Sequence, residues 1–487
     1  MPLCRTEHDL LGEREVPADV YWGIHTLRAI ENFPLSRQRV HPELVRAIGS
    51  VKQACALTHL RLGALPDDVG KAVAQAAGEV AQGMWYDQFP VDALQGGAGT
   101  STNMNANEVI ANRALELLGE PKGSYHRVHP NDHVNLGQST NDVYPTALRI
   151  AAIRLLRPAV DALSRLQGAL QEKEAEFAGV LKVGRTEMQD AVPVTLGQEF
   201  AAWAQAVARD WWRLYKAEER LRQVNLGGTA VGTGLGADPA YIHSVVDVLR
   251  DLTGLSLARA ENCMDVTQNA DVFVEVSGFI KAAAVNLAKI AADLRLLSSG
   301  PRAGIGEIRL PELQAGSSIM PGKVNPVATE AVTQAAYQVI ANDTAVTLAA
   351  QAGQLELNAF LPLIAHNLLA SLELLGSAAT ILRERCVQGI QADAARCAEL
   401  LGRSTAVVTA LVPHIGYDRA TEVAAEALAT GETVQAVVLR RGLMSAEALE
   451  EITSADALTK PGIPGRRRGR RLRLESDWST PKESDQQ

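Results

Sequence analysis

The sequence predicts a mainly helical, all-α protein: an elongated multi-helix bundle flanked by smaller helical N- and C-terminal domains. Three observations carry this expectation. Hydrophobic residues make up 47% of the 487-residue chain but aromatics only 4%, with Ala, Leu and Val recurring in long tracts, a balance that favours helix over sheet. Apolar residues then recur at steps of three and four along stretches without an interior turn signal. Those stretches run to about 30 residues, or roughly 45 Å of helix, more than one small domain needs.

Residues 1–141 read as an N-terminal domain of short helical pieces, broken by turns such as Gly96-Gly97 and Pro130-Asn131-Asp132. Residues 142–391 hold the long helices. The first, Thr146 to Phe177, carries Pro158, which is expected to kink it or split it in two. In Thr195 to Val224 the residues Phe200, Trp203, Val207, Trp211, Leu214 and Leu221 recur at helical intervals. In Val266 to Ser299 one stripe runs through Val272, Val276, Phe279, Ala283, Leu287, Ile290, Leu294 and Leu297, and Gly300-Pro301 closes it. Val327 to Ala352 and Leu361 to Cys386 complete a set of antiparallel bundle helices. Stripes of this kind suit an ordinary monomeric core, but helices this long and apolar on more than one face favour oligomerisation.

Residues 392–459 become shorter and more charged, a small C-terminal helical domain. From 460 to 487 the chain is rich in Arg, Gly and Pro and then acidic, with no apolar period, and is expected to be a solvated, disordered tail. With 47 Lys and Arg against 56 Asp and Glu, the net charge of −9 argues against a dedicated nucleic-acid binder. The apolar stretch Phe279 to Leu297 is interrupted by Lys281, Lys289 and Asp293, so no membrane span is expected. The charged N-terminus is unlike a signal peptide. Cys4, Cys55, Cys263, Cys386 and Cys397 are scattered without zinc-ligand spacing, as in a protein of the reducing cytoplasm, and no ligand cluster demands a metal.

One segment offers chemistry, Gly316-Ser317-Ser318-Ile319-Met320-Pro321-Gly322-Lys323-Val324-Asn325-Pro326. Its glycines allow close backbone approach, its paired hydroxyls offer a base or nucleophile, and Lys323 and Asn325 supply donors for an anion. A plain surface turn before a helix uses the same residue types. Gly232-Thr233-Gly234-Leu235-Gly236 lacks both the preceding strand and the spacing of a phosphate loop, and reads as a structural turn. His129, before Pro130-Asn131-Asp132, reads as a hydrogen-bonded turn histidine in preference to an anion ligand.

GSSIMPGKVNP resembles the signature loop of the aspartase/fumarase superfamily. That family's other two active-site segments follow the same order: GAGTSTNMNANEV around Thr100 and QSTNDVYP at Ser139 to Asn141. The likeness extends through EHDLLGEREVPADVYWGIHTLRAIENF, DQFPVDALQGGAGTS, NLGGTAVGTGLG and LRLLSSGPRAGIGEIRLPELQAGSS, and covers about residues 5 to 455. Fumarases read GENEPGSS before the catalytic serine and an AQTQR-like segment near the N-terminus. This chain has LPELQAGSS and GIHTLRAIENF, similar to the family's ammonia-lyases.

The resemblance implies reversible elimination of ammonia from L-aspartate to give fumarate, with class II fumarase, or a catalytically impaired homologue with a scaffold role, as the alternatives. It further implies a homotetramer without an organic cofactor, whose active sites each draw on three chains and bind a small dicarboxylate. Ser317 would be the general base. Thr100, Ser139, Thr140 and Ser318 would hold the β-carboxylate and stabilise the dianionic aci-carboxylate, where donors must meet developing charge. Asn141, Thr186, Lys323 and Asn325 would orient the α-carboxylate and amino group. Glu187 departs from the family's usual His or Gln. Its carboxylate there is compatible with binding the substrate ammonium, with acting as a protonated donor, or with altered substrate preference or activity.

Overall fold

The computed structural model describes residues 3–466, so most of the expected Arg-rich tail, 460–487, lies outside the described residues. The chain divides into two compact units, Met1–Lys173 with Ala201–Gln391, and Glu174–Phe200 with residues 392–487. The regions read from sequence as N-terminal domain and central bundle thus group in one unit, while residues 174–200 group with the C-terminal region.

In the first unit, an antiparallel hairpin of β1 (Cys4–Asp9) and β2 (Gly12–Pro17) leads into α1 (Ile24–Asn32). This helix starts at Gly23, which has no side chain to cap it, and two carboxylates from elsewhere take over. Glu108 accepts from the N–H groups of Gly23, His25 and Thr26 and from the Thr26 hydroxyl, and Glu7 from the Ile24 N–H. Burial pushes the Glu108 carboxyl up to about 7 against the pull of those donors. Next come α2 (Pro42–Arg61), α3 (Asp67–Ala81) and α4 (Thr100–Leu117), with α2 packed on α3 and α3 on α4.

Helix α5 runs unbroken from Thr140 to Glu176, through both Pro145 and Pro158. The expected split at Pro158 does not occur. A proline inside a helix costs about 3 kcal/mol. Leu156, Ala159, Leu163 and Leu166 are buried around it, and one fully buried Leu alone contributes about 1.5–3 kcal/mol. Pro145 frees the Asn141 carbonyl, which accepts instead from Asn225 Nδ2 at 2.9 Å.

Then come α6 (Leu196–Leu221), α7 (Pro239–Thr253), the short α8 (Cys263–Gln268) and α9 (Asp271–Leu297). The predicted helix from Val266 to Ser299 is therefore two. Asn262 caps α8 through its side chain, and Asn269 turns the chain into extended backbone before α9 begins. The expected apolar stripe of α9 is buried at Val276, Ala283, Leu287, Ile290, Leu294 and Leu297 and half-buried at Val272 and Phe279, beside which Phe273 and Ile280 are buried. It packs on α10 (Val327–Gln351) and α11 (Leu361–Arg385), which also pack on each other. Lys281, which interrupts the stripe's hydropathy, donates to Asp343 at 2.6 Å while Ser277 donates to the other oxygen at 2.8 Å, fastening α9 to α10. Among the described residues one helical stretch, Leu361–Gly389, is long and apolar enough to cross a membrane, but 61% of its most apolar window is buried inside the protein. It is a core helix of the bundle.

The second unit is built on a hairpin that composition gave no reason to expect, β3 (Leu181–Thr186) paired antiparallel with β4 (Gln189–Thr195). Around it lie α12 (Ala394–Arg403), α13 (Val408–Ile415), α14 (Tyr417–Thr430), α15 (Val434–Arg440), α16 (Ala446–Ile452) and α17 (Ala455–Thr459). Val183, Leu411, Val423, Val437 and Ile452 share its core.

Candidate active site

Two of the predicted segments meet where α4 and α5 begin. Before Thr100 the chain passes through three residues of positive φ, Gly97, Ala98 and Gly99. A Cβ on Gly99 would lie 2.3 Å from the Tyr144 ring, so only glycine lets the α4 N-terminus sit this close to α5. Thr100 is exposed, its hydroxyl donating to the Gly97 carbonyl at 2.7 Å.

Ser139 and Asp142 cap α5 reciprocally. The Ser139 hydroxyl accepts from the Asn141 N–H, and Asp142 Oδ1 accepts from the Ser139 N–H at 2.9 Å. Asp142 Oδ2 accepts from the N–H groups of Gly227 and Thr229 at 3.1 and 3.0 Å, and Asn141 Nδ2 donates to the Ala230 carbonyl at 2.7 Å. The glycine-rich turn around residue 232 is therefore a structural loop fastened beneath Ser139 to Asn141, in agreement with the sequence. Burial raises the Asp142 carboxyl to about 6, opposed by its three backbone donors and the Lys52 charge. Thr140 is buried, whereas Ser139 and Asn141 are half-buried.

The Ser317 segment is a closed loop before α10. The Gly316 N–H donates to the Lys323 carbonyl at 2.7 Å, and Asn325 Nδ2 donates to the Gly316 carbonyl at 3.0 Å. A Cβ on Gly316 would come within 2.7 Å of the Lys323 oxygen. At the tip, Pro321 and Gly322 (φ +77°) occupy the central positions of a turn whose Lys323 N–H reaches the Met320 carbonyl. Ser317 Oγ accepts from two backbone N–H groups, Met320 at 2.9 Å and Ile319 at 3.2 Å. Such donors favour a developing alkoxide. Ser317, Ser318 and Asn325 are half-buried and Lys323 is exposed.

Thr186 and Glu187 belong to the second unit, at the exposed tip of the β3–β4 hairpin. Glu187 and Met188 form its two-residue turn with φ of +52° and +65°, the pattern of a type I′ turn, in which Asn-Gly is the usual choice. Within the first unit, among the described residues, no hydrogen bond joins Ser317, Ser318, Lys323 or Asn325 to Thr100, Ser139, Thr140 or Asn141. His129 is a turn residue as expected, its Nδ1 accepting from the Asn131 and Asp132 N–H groups at 3.2 Å each.

Sequence reasoning passed over the polar groups beneath this corner: Lys52, Asn103, Asn107, Asn135, Gln138 and Asp142. Asn103, Asn107, Gln138 and Asp142 sit inside the quoted motifs. Lys52 had its own signal, the one charge between Ala47 and Ala56 on a stretch of small and apolar residues.

A model of the lyase family matches residues 12–341, and a model of the fumarase C C-terminus matches residues 407–460. The chain is 49% identical over 463 residues to an aspartate ammonia-lyase of Bacillus sp., covering 95% of this chain and 99% of the relative. It is 51% identical over 462 residues to an aspartate ammonia-lyase of Pseudomonas aeruginosa, covering 94% and 98%. Among solved structures, a fumarate lyase:delta crystallin from Brucella melitensis bound to cobalt superposes with a TM-score of 0.90 at 52% identity, covering 94% of this chain and 99% of that one. A class II fumarase from Schistosoma mansoni superposes with the same TM-score of 0.90 at 34% identity, covering 94% and 100%. A signature loop closed around Ser317, the two companion segments at the heads of α4 and α5, and a likeness spanning nearly the whole length place the chain in one family: it belongs to the aspartase/fumarase superfamily of lyases.

Proposed function

We propose that the protein is an aspartate ammonia-lyase that eliminates ammonia reversibly from L-aspartate to give fumarate. The observation that carries this reading is the Ser317 hydroxyl, which accepts from the Ile319 and Met320 N–H groups within a chain about half identical to curated aspartate ammonia-lyases. A serine is a poor base unless its alkoxide is stabilised, and two backbone donors supply that stabilisation without adding an acidic group. Ser317 takes the proton from the carbon beside the β-carboxylate. Negative charge then develops on that carboxylate, where the hydroxyls of Thr100, Ser139, Thr140 and Ser318 receive it. Asn141, Thr186, Lys323 and Asn325 orient the α-carboxylate and amino group, the amine leaves, and the carbon–carbon double bond of fumarate forms. Glu187 lies beside the substrate and, ionised, opposes its carboxylates.

The working form is a homotetramer with each site shared between chains. Support comes from the absence of hydrogen bonds between the Ser317 loop and the Thr100/Ser139 corner within the described chain. The protein acts in the cytoplasm, a reading supported by the buried thiols of Cys55, Cys263 and Cys386. The test is fumarate absorbance on addition of L-aspartate, of malate, or of neither. Fumarate from aspartate, with an equal amount of ammonia, is expected. Fumarate from malate alone would make the protein a fumarase, and none from either would leave the scaffold reading.

A further inference from the structure

Lys52 is fully buried on α2, 0% exposed. Its Nζ donates to Asn135 Oδ1 at 2.8 Å and to Gln138 Oε1 at 2.9 Å. Asn135 Oδ1 also accepts from Asn103 Nδ2 and Asn107 Nδ2, each at 3.2 Å, and Asn103 Nδ2 donates onward to Thr140 Oγ1 at 3.1 Å. An ammonium has donors and no acceptor, whereas each amide can face either way. Lys52 therefore forces Asn135 to present its oxygen, and that oxygen in turn forces Asn103 to present its NH₂. Thr140, holding an accepted hydrogen bond on its oxygen, keeps its own hydrogen to give away. The buried Oδ1 atoms of Asn103 and Asn107 have no partner, so their orientation is not chosen to satisfy themselves.

We propose that Lys52 is a positioning residue for the elimination: it sets the direction of a buried amide relay so that the Thr140 hydroxyl faces the substrate carboxylate as a donor. The inference rests on the proposed placement of Thr140 at that carboxylate. A purely structural role gives a weaker account, because an apolar side chain of similar length fills the same space without burying a charge. Burial lowers the Lys52 ammonium to about 7, and Cys55 and Asp142 favour the charged form that the relay uses.

The experiment compares kcat and KM for L-aspartate in the full-chain enzyme carrying Lys52→Met, Thr140→Val, or both. Deleting a donor to developing charge typically costs about 10²- to 10³-fold in kcat. Thr140→Val is expected within that range, and Lys52→Met at about 10- to 100-fold, with KM moving less than about threefold. The double variant is expected to be no slower than Thr140→Val alone, because Lys52 acts through Thr140. Wild-type kcat in Lys52→Met, or losses that multiply in the double variant, overturns the inference while leaving the site intact. Wild-type kcat in Thr140→Val overturns the placement of Thr140 itself, and the inference with it. Should Lys52→Met fail to fold, Asn103→Ala cuts the same relay one step later, with the same loss and the same non-additivity expected.

Discussion

Glu187 stands where the resemblance implies His or Gln, and its geometry is unusual too, with a positive φ of +52° outside glycine. Glutamine would sit in the same turn with the same backbone cost but without the charge. Glu187→Gln is therefore expected to leave stability unchanged and to lower KM for aspartate, by relieving repulsion of the substrate carboxylates. A sharp fall in kcat would instead assign the carboxylate to the substrate ammonium. Lys52 makes a different prediction, concerning stability. Its folded value of about 7 lies below the unfolded value of about 10.4, so from pH 7 upward the unfolded chain binds the extra proton and folding gains as pH rises. The groups around Lys52 that bear on this are Asp142, Cys55 and the Tyr241 hydroxyl that donates to Cys55 at 3.2 Å. Denaturation midpoints of wild type and Lys52→Met between pH 7 and 8.5 should show the wild type gaining on the variant. A constant difference would contradict the assignment. Motif residues were read through the family resemblance of the eleven-residue run and its companion segments, since residue type alone left a plain surface turn open. The network beneath them was not, since a buried lysine and an asparagine thirty or more residues away are linked only by the fold.

The helices show which parts of a sequence speak for themselves. The stripe of α9 was legible because a period of three and four has one physical meaning, burial of one face. Its start was misread, because the Asn262 cap and the break at Asn269 are local events inside a continuing apolar pattern. At Pro158 a kink or a split was expected, and the split does not occur, because tertiary burial holds the helix continuous. The β3–β4 hairpin escaped notice because its turn is Glu187-Met188, without the Asn-Gly signal that announces such turns. At this scale Gly99 gives a sharp test. With φ of +95° and a Cβ position 2.3 Å from the Tyr144 ring, Gly99→Ala combines a strained backbone of about 1–2 kcal/mol with overpacking of about 1–3 kcal/mol. Denaturation should show a loss in that combined range together with loss of activity. Wild-type stability would mean that the heads of α4 and α5 are not packed this closely.

For the molecule as a whole, site segments near residues 100, 140, 186 and 320 lie on separate elements, and Thr186 belongs to a different compact unit from the rest. The proposed active site, shared between chains, would let them work together, and mixing tests it. Thr100→Ala and Lys323→Ala enzymes, each inactive, should recover part of the activity after dissociation and reassembly together, since some mixed sites carry no substitution. No recovery despite confirmed subunit exchange would place each site within one chain. The most direct test of the chemistry itself is release of fumarate and ammonia from L-aspartate by Ser317→Ala beside the wild type. Proton transfer by a positioned base contributes about 10²- to 10⁴-fold, so the wild type should release the two products in equal amounts and the variant should be slower by at least that lower bound while remaining folded and assembled. Near-wild-type release from Ser317→Ala would contradict the account.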